Sequence, residues 1–175
     1  MFSGLRGFFK ALIPDCTIFQ FLAYCIKTIL KEEKRIDRGK LGLIGYSFGG
    51  YATNFIITQI CIFKTAVSGF GSGDIINSYF SYNEIFTSPN YFLFENGQFN
   101  LGSFKENKEL FLLNSPILFA HQIKTPLLGF AGKEDRNVEW KLQQEFFIAL
   151  LRFRKPHISF FTKMELMAFQ RRKIR

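Results

Sequence analysis

Three cysteines and two histidines in 175 residues leave this sequence few places for metal or redox chemistry. Cys16, Cys25 and Cys61 are odd in number and show neither a C-x-x-C pair nor metal-ligand spacing, so a disulfide scaffold is excluded and buried, reduced thiols are expected. A cytoplasmic location follows from that expectation, as does the expectation that the chain uses no metal and no cofactor. Long apolar runs are missing too. The most apolar early stretch, residues 18–30, is interrupted by Gln20 and Lys27 and falls short of the ~20 residues that a bilayer span requires. The order of charged region, apolar run and small-residue cleavage site that marks a signal peptide is not found. There is no internal repeat and no linker, so the reading is of one domain.

What the sequence has in plenty is phenylalanine, with 24 residues. Hydrophobic residues make up 47% and charged residues 21%, which excludes a disordered chain. So many aromatics predict a large apolar core, or surfaces that another element covers. The net charge of +9 comes from scattered Lys and Arg. Their one dense cluster, Arg171, Arg172, Lys173 and Arg175, reads as a solvated tail, so neither nucleic acid nor membrane is expected as a partner.

Apolar residues at Phe19, Leu22, Ala23, Ile26, Ile29 and Leu30 recur at helical spacing and lead to a turn at Asp37-Arg38-Gly39. Four short apolar runs then predict strands: Leu41 to Ile44, Thr65 to Ser68, Leu127 to Ala131 and Ile158 to Phe161. Helices are expected from Ser47 towards Ile60 and from Val138 to Leu151. Residues 74–118 have no clean period and read as an excursion carrying short helices. Strands alternating with helices predict a mostly parallel sheet with helices on both faces.

The segment richest in chemistry is Gly45-Tyr46-Ser47-Phe48-Gly49-Gly50, a G-x-S-x-G pattern between a predicted strand and a predicted helix. A serine on so tight a turn has a strained backbone, and side chains two residues to either side are expected to collide, which accounts for Gly45 and Gly49. The turn lifts the Ser47 hydroxyl above the sheet and aims the Phe48 N–H at the place where an oxyanion would form. Such a serine needs a base, and the base needs an orienting acid. Asp135, just past the third strand, is placed for that acid, with Glu134 as its competitor. His121 precedes the third strand and His157 opens the fourth, and neither stands where the base belongs.

From Asp37 to about Leu151 the sequence resembles the catalytic domain of the prolyl oligopeptidase family, nearest its dipeptidyl-peptidase and acylaminoacyl-peptidase-like branches. The matching stretches, in order, are DRGKLGLIGYSFGGYATNFIITQ, FKTAVSGFG and NSPILFAHQIKTPLLGFAGKEDRNVEW. The resemblance implies an α/β-hydrolase fold and peptide hydrolysis with Ser47 as nucleophile and Asp135 as triad acid. It places Asn137 and Val138 near the substrate, with Tyr79 and Tyr82 walling the pocket for the residue before the scissile bond. Residues 1–15 and 162–175 depart from the family. The early strands of the fold, the upstream second oxyanion donor and the usual N-terminal β-propeller have no counterpart. In Phe161-Thr162-Lys163-Met164-Glu165-Leu166-Met167, Met167 stands where the family carries its catalytic histidine. These departures predict a partial catalytic domain, 1–175, from a truncated or frame-damaged gene, either impaired as a peptidase or surviving as an inactive binding module.

Overall fold

The computed structural model describes residues 18–163. Met167, Glu165, Cys16 and the basic cluster at 171–175 lie outside the described residues. Helix α1 (Ile18–Glu32) leads to strand β1 (Gly42–Tyr46), helix α2 (Phe48–Gln59) and strand β2 (Thr65–Gly69). An excursion follows, built of α3 (Ile75–Tyr79), a two-residue-per-strand hairpin of β3 (Tyr82–Asn83) and β4 (Ser88–Pro89), α4 (Tyr91–Glu95), α5 (Lys108–Leu113) and a 3₁₀ turn at Pro116–Gln122. The chain then returns through β5 (Leu127–Gly132), α6 (Trp140–Arg152) and β6 (His157–Thr162). All four expected strands and the three expected helices are present, with ends shifted by a residue or two.

The main sheet runs β1-β2-β5-β6, and every neighbouring pair is parallel. Since each crossover steps in the same direction and crossovers are right-handed, the connecting helices must fall on one face. The packing agrees. Leu43, Ala66, Leu127 and Phe161 point to that face and meet Ile57, Ala120, Ile123, Phe146, Phe147 and Leu150. Helix α1 joins the same side through Ile26, which packs with Ile56, Ile60 and Phe63.

Side chains alternate across a strand, so the next register row belongs to the opposite face. That row is Ile44, Val67, Leu128 and Ile158. Ile44 is 79% exposed, Ile158 60% and Phe160 55%. Among the described residues, therefore, the helices named above pack on one face, while Ile44, Ile158 and Phe160 on the other are exposed. The cysteines depart from expectation. Cys61 is exposed and Cys25 half-buried, because Cys61 falls in the short run between Ile60 and Phe63, whose side chains take the inward positions. No helix among the described residues is long and apolar enough to cross a membrane.

A second core, rich in aromatic rings, joins the excursion to α2. Tyr51, Phe55, Ile75, Tyr79, Phe94 and Phe111 form a buried cluster, with Phe48, Phe99 and Phe104 packed against it. Phe94 stacks on Phe99 at 4.2 Å, and Phe111 meets Tyr79 and Phe104 edge-on at 5.1 and 5.2 Å. Such pairs add about 0.5–1.5 kcal/mol each to ordinary burial. The Tyr51 hydroxyl, inside this cluster, donates to the Asn114 carbonyl at 2.6 Å. Burial pushes that phenol well above its usual range.

A testable consequence concerns alkaline pH. The folded chain retains the Tyr51 proton where the unfolded chain releases it near pH ~10, so stability is fully present below that pH and falls as pH rises through it. Tyr51→Phe removes this slope, and its unpaired Asn114 carbonyl costs about 1 kcal/mol at neutral pH. Urea midpoints between pH 7 and 11 should fall less steeply for Tyr51→Phe than for the wild type.

Candidate active site

Ser47 sits between β1 and α2 with φ 57° and ψ −120°, a conformation that L-residues seldom adopt. Two hydrogen bonds and one steric constraint hold it there. Its N–H donates to the Gly69 carbonyl at 2.8 Å, its carbonyl accepts from Tyr51 N–H at 3.0 Å, and a side chain at Gly45 would run into the Gly49 carbonyl and come within 2.5 Å of Thr53 Oγ1. Gly45 is therefore required, as expected. Gly49 is not, since a Cβ there meets nothing within 4 Å. The second obligatory glycine is Gly50, where a Cβ would strike the Gly69 carbonyl and lie 3.0 Å from Gly71 N. The collision comes from a strand neighbour rather than from the turn itself.

The turn behind this serine is tied from both sides. Ser68 Oγ donates to the Gly50 carbonyl at 3.0 Å, and Asn54 Nδ2 donates to the carbonyls of Gly71 and Ser72, each at 3.2 Å. Gln143, 1% exposed on α6, accepts from Gly71 N–H at 3.1 Å and donates to the Ser68 carbonyl at 3.0 Å. Phe48 occupies the first turn of α2, where backbone N–H groups point outward along the axis.

Asp135 lies just past β5. In a parallel sheet this puts it on the same rim as Ser47, which follows β1. It is 8% exposed, and its two oxygens differ. Oδ1 accepts from the N–H groups of Asn137 and Val138 at 2.7 and 2.8 Å, while Oδ2 is buried with no hydrogen-bond partner. Glu134, the competing acid, is exposed. The aromatic floor beside the serine also senses the aspartate. Tyr46, 5.0 Å from the Phe70 ring, has its phenol raised chiefly by burial and then by the negative charge of Asp135.

The remaining sequence candidates divide. Asn137 and Val138 are drawn to the rim through Asp135. Tyr82 is 58% exposed on the hairpin, paired with Pro89. Tyr79 is 9% exposed inside the aromatic cluster, its hydroxyl donating to Glu95 Oε1 at 2.6 Å and its phenol raised by that bond and by burial. Both histidines stand away from the rim. His157 opens β6 opposite Leu127, with Nδ1 2.8 Å from the Lys155 carbonyl and its ring stacked on Phe147. Five strand intervals separate it from the far end of β6, about 16 Å. His121 is exposed, with its ring edge-on to Phe153 at 5.9 Å. No group of His, Cys, Asp and Glu that could hold a metal occurs among the described residues.

Asn83, Gln143 and Gly50 were not marked by any local pattern. Their roles come from partners far along the chain.

Alanine substitutions at the three elbow glycines separate the two steric readings. Gly45→Ala and Gly50→Ala should each cost about 3 kcal/mol or more, as overpacking against backbone. Gly49→Ala, in a helix and facing open space, should be neutral or stabilising by up to ~1 kcal/mol. Thermal unfolding of the three variants checks the order.

Comparison with known proteins agrees with this fold. The model of the prolyl oligopeptidase family matches residues 15–165. An uncharacterized peptidase of Bacillus subtilis, YuxL, is 31% identical over 126 residues, covering 72% of this chain and 18% of that protein. The acylamino-acid-releasing enzyme of Sus scrofa is 29% identical over 140 residues, covering 73% and 17%. Among solved structures, Pyrococcus horikoshii acylaminoacyl peptidase superposes with a TM-score of 0.71 at 25% identity, covering 83% of this chain and 23% of that one. The chain thus spans less than a quarter of the length of these relatives. A match of that extent, on a parallel sheet of this order, makes the chain a member of the prolyl oligopeptidase family of serine peptidases, with the α/β-hydrolase fold.

Proposed function

We propose that this chain carries the nucleophile and the acid of a peptide-hydrolysing site and lacks the base. The observation that supports it is the pairing, on one rim, of a serine held at φ 57° with a buried aspartate whose Oδ2 has no donor. A strained serine backbone is found where a hydroxyl must be presented to a substrate. A buried, half-satisfied carboxylate is found where an N–H donor of a catalytic base is to be oriented.

In this reading the Ser47 oxygen attacks the scissile carbonyl, solvent carries the hydroxyl proton to the leaving amine as the C–N bond breaks, and water then hydrolyses the acyl ester, releasing the acid and restoring the hydroxyl. The Phe48 N–H stabilises the oxyanion. Asn137 and Val138 lie beside the substrate, and Tyr82 faces it from the hairpin while Tyr79 supports that wall from within. The relatives named for acylamino-acid release favour peptides as the substrate class. Neither His121 nor His157 reaches the rim, and the family resemblance sets Met167, which cannot accept a proton, at the base position. The alternative reading is an inactive member of the family that binds peptides without cleaving them. The same half-satisfied rim supports it.

Losing a general base costs about 10²–10⁴-fold in rate, and losing one oxyanion donor costs about 10²–10³-fold. Peptide hydrolysis and fluorophosphonate labelling of the chain, of Ser47→Ala and of Met167→His should show marginal turnover in the first, none in the second and a gain in the third. Rapid turnover by the unmodified chain, abolished in Ser47→Ala, would mean that another group serves as base. No gain in Met167→His would favour the binding reading.

A further inference from the structure

The orientation of Asp135 depends on a backbone that Asp135 does not itself secure. Oδ1 is satisfied by the N–H groups of Asn137 and Val138, so where Oδ2 points depends on where residues 136–138 are held. On its own side, among the described residues, the loop is anchored by Lys133 N–H on the Thr162 carbonyl at 2.8 Å and by Asp135 N–H on the Gly132 carbonyl at 3.2 Å. Both lie at its start.

The far side is held by the excursion. Asn83, 2% exposed on β3, donates through Nδ2 to the Asn137 carbonyl at 3.2 Å and to Asn137 Oδ1 at 2.8 Å. Its own Oδ1 accepts from Phe86 N–H at 2.9 Å. Next along the chain, Glu84 N–H donates to the Arg136 carbonyl at 3.2 Å. The ion pair of Arg136 with Glu84, at 4.0 Å between exposed side chains, adds little to this. A buried amide that uses both its donor nitrogen and its acceptor oxygen fixes the geometry of both partners, because leaving any of these groups unpaired costs the full desolvation penalty.

We propose that Asn83 is a positioning residue of the site: through Asn137 it holds the loop that sets Asp135, and through Phe86 it locks the hairpin carrying Tyr82 to that same loop. The acid and one wall of the peptide pocket then move as a unit. This rests on the reading of Ser47 and Asp135 given above, but the test is independent of it.

The experiment is residue-resolved amide hydrogen exchange on the full chain, with the carbon-13 resonance of the Asp135 carboxyl recorded alongside. In Asn83→Ala the amides of Asn137, Val138 and Phe86 should exchange about tenfold faster, the loss of one hydrogen bond's worth of protection. The N–H groups of Ser47 and Phe70, bonded to Gly69 and Phe130 at the sheet rim, should be unchanged. Asn83→Asp preserves shape and the acceptor for Phe86 but sets a carboxylate against the two Asn137 oxygens. Here Phe86 should stay protected while Asn137 and Val138 lose protection and the Asp135 carboxyl resonance moves. The proposal is overturned if Asn137 and Val138 exchange as in the wild type, or if all five amides speed up by one factor. The readout does not involve the Ser47 hydroxyl, so a serine that fails to label overturns the catalytic reading and not this one.

Discussion

The backbone of one residue constrains much of what surrounds it. Ser47 can occupy φ 57° only if β1 passes into α2 without a side chain at Gly45 and if α2 lies close enough on β2 that Gly50 touches Gly69. That closeness requires the turn after β2 to be glycine-rich, and the turn is in turn fixed by Asn54 from α2 and Gln143 from α6. Strain of this kind, of the order of 1–3 kcal/mol, persists only where the surroundings over-determine it. Two helices and two strands are committed to doing so.

The aromatic excursion supplies the other half of the frame. Phe48 and Tyr51, on the first turns of α2, meet Phe99 at 5.9 Å or less of one another, so the cluster clamps the helix that begins at the serine. Short helices with little propensity of their own are held by rings that pack around Phe111, which is wholly buried.

The parts of this structure that are legible in the sequence are those written locally. Leu127 to Ala131 between breakers, and the helical period that follows Ser47, each carry their own signal, and the chain order of elbow serine and rim aspartate adds to it. What escapes is set by contacts at long range. Gly49 looks like the second required glycine because it sits symmetrically about Ser47, yet the atom that forbids a side chain belongs to Gly69 and acts on Gly50. Asn83 lies 54 residues from the asparagine it holds, in a segment without periodicity, and nothing nearby distinguishes it from its neighbours. Alternation of strands and helices predicts layers, but only the spatial order of the strands decides on which side each connecting helix falls.

Among the described residues, the exposed side chains of Ile44 and Ile158, in one register row of the sheet, carry a calorimetric consequence. The heat capacity of unfolding is dominated by apolar surface that becomes wet only when the chain opens, about 0.45 cal/mol/K for each Å². Side chains such as Ile44, already hydrated in the folded state, contribute almost nothing to that increment. The chain should therefore show a smaller heat-capacity step than its length and its phenylalanine content imply, and its stability should vary with temperature along a correspondingly shallow curve.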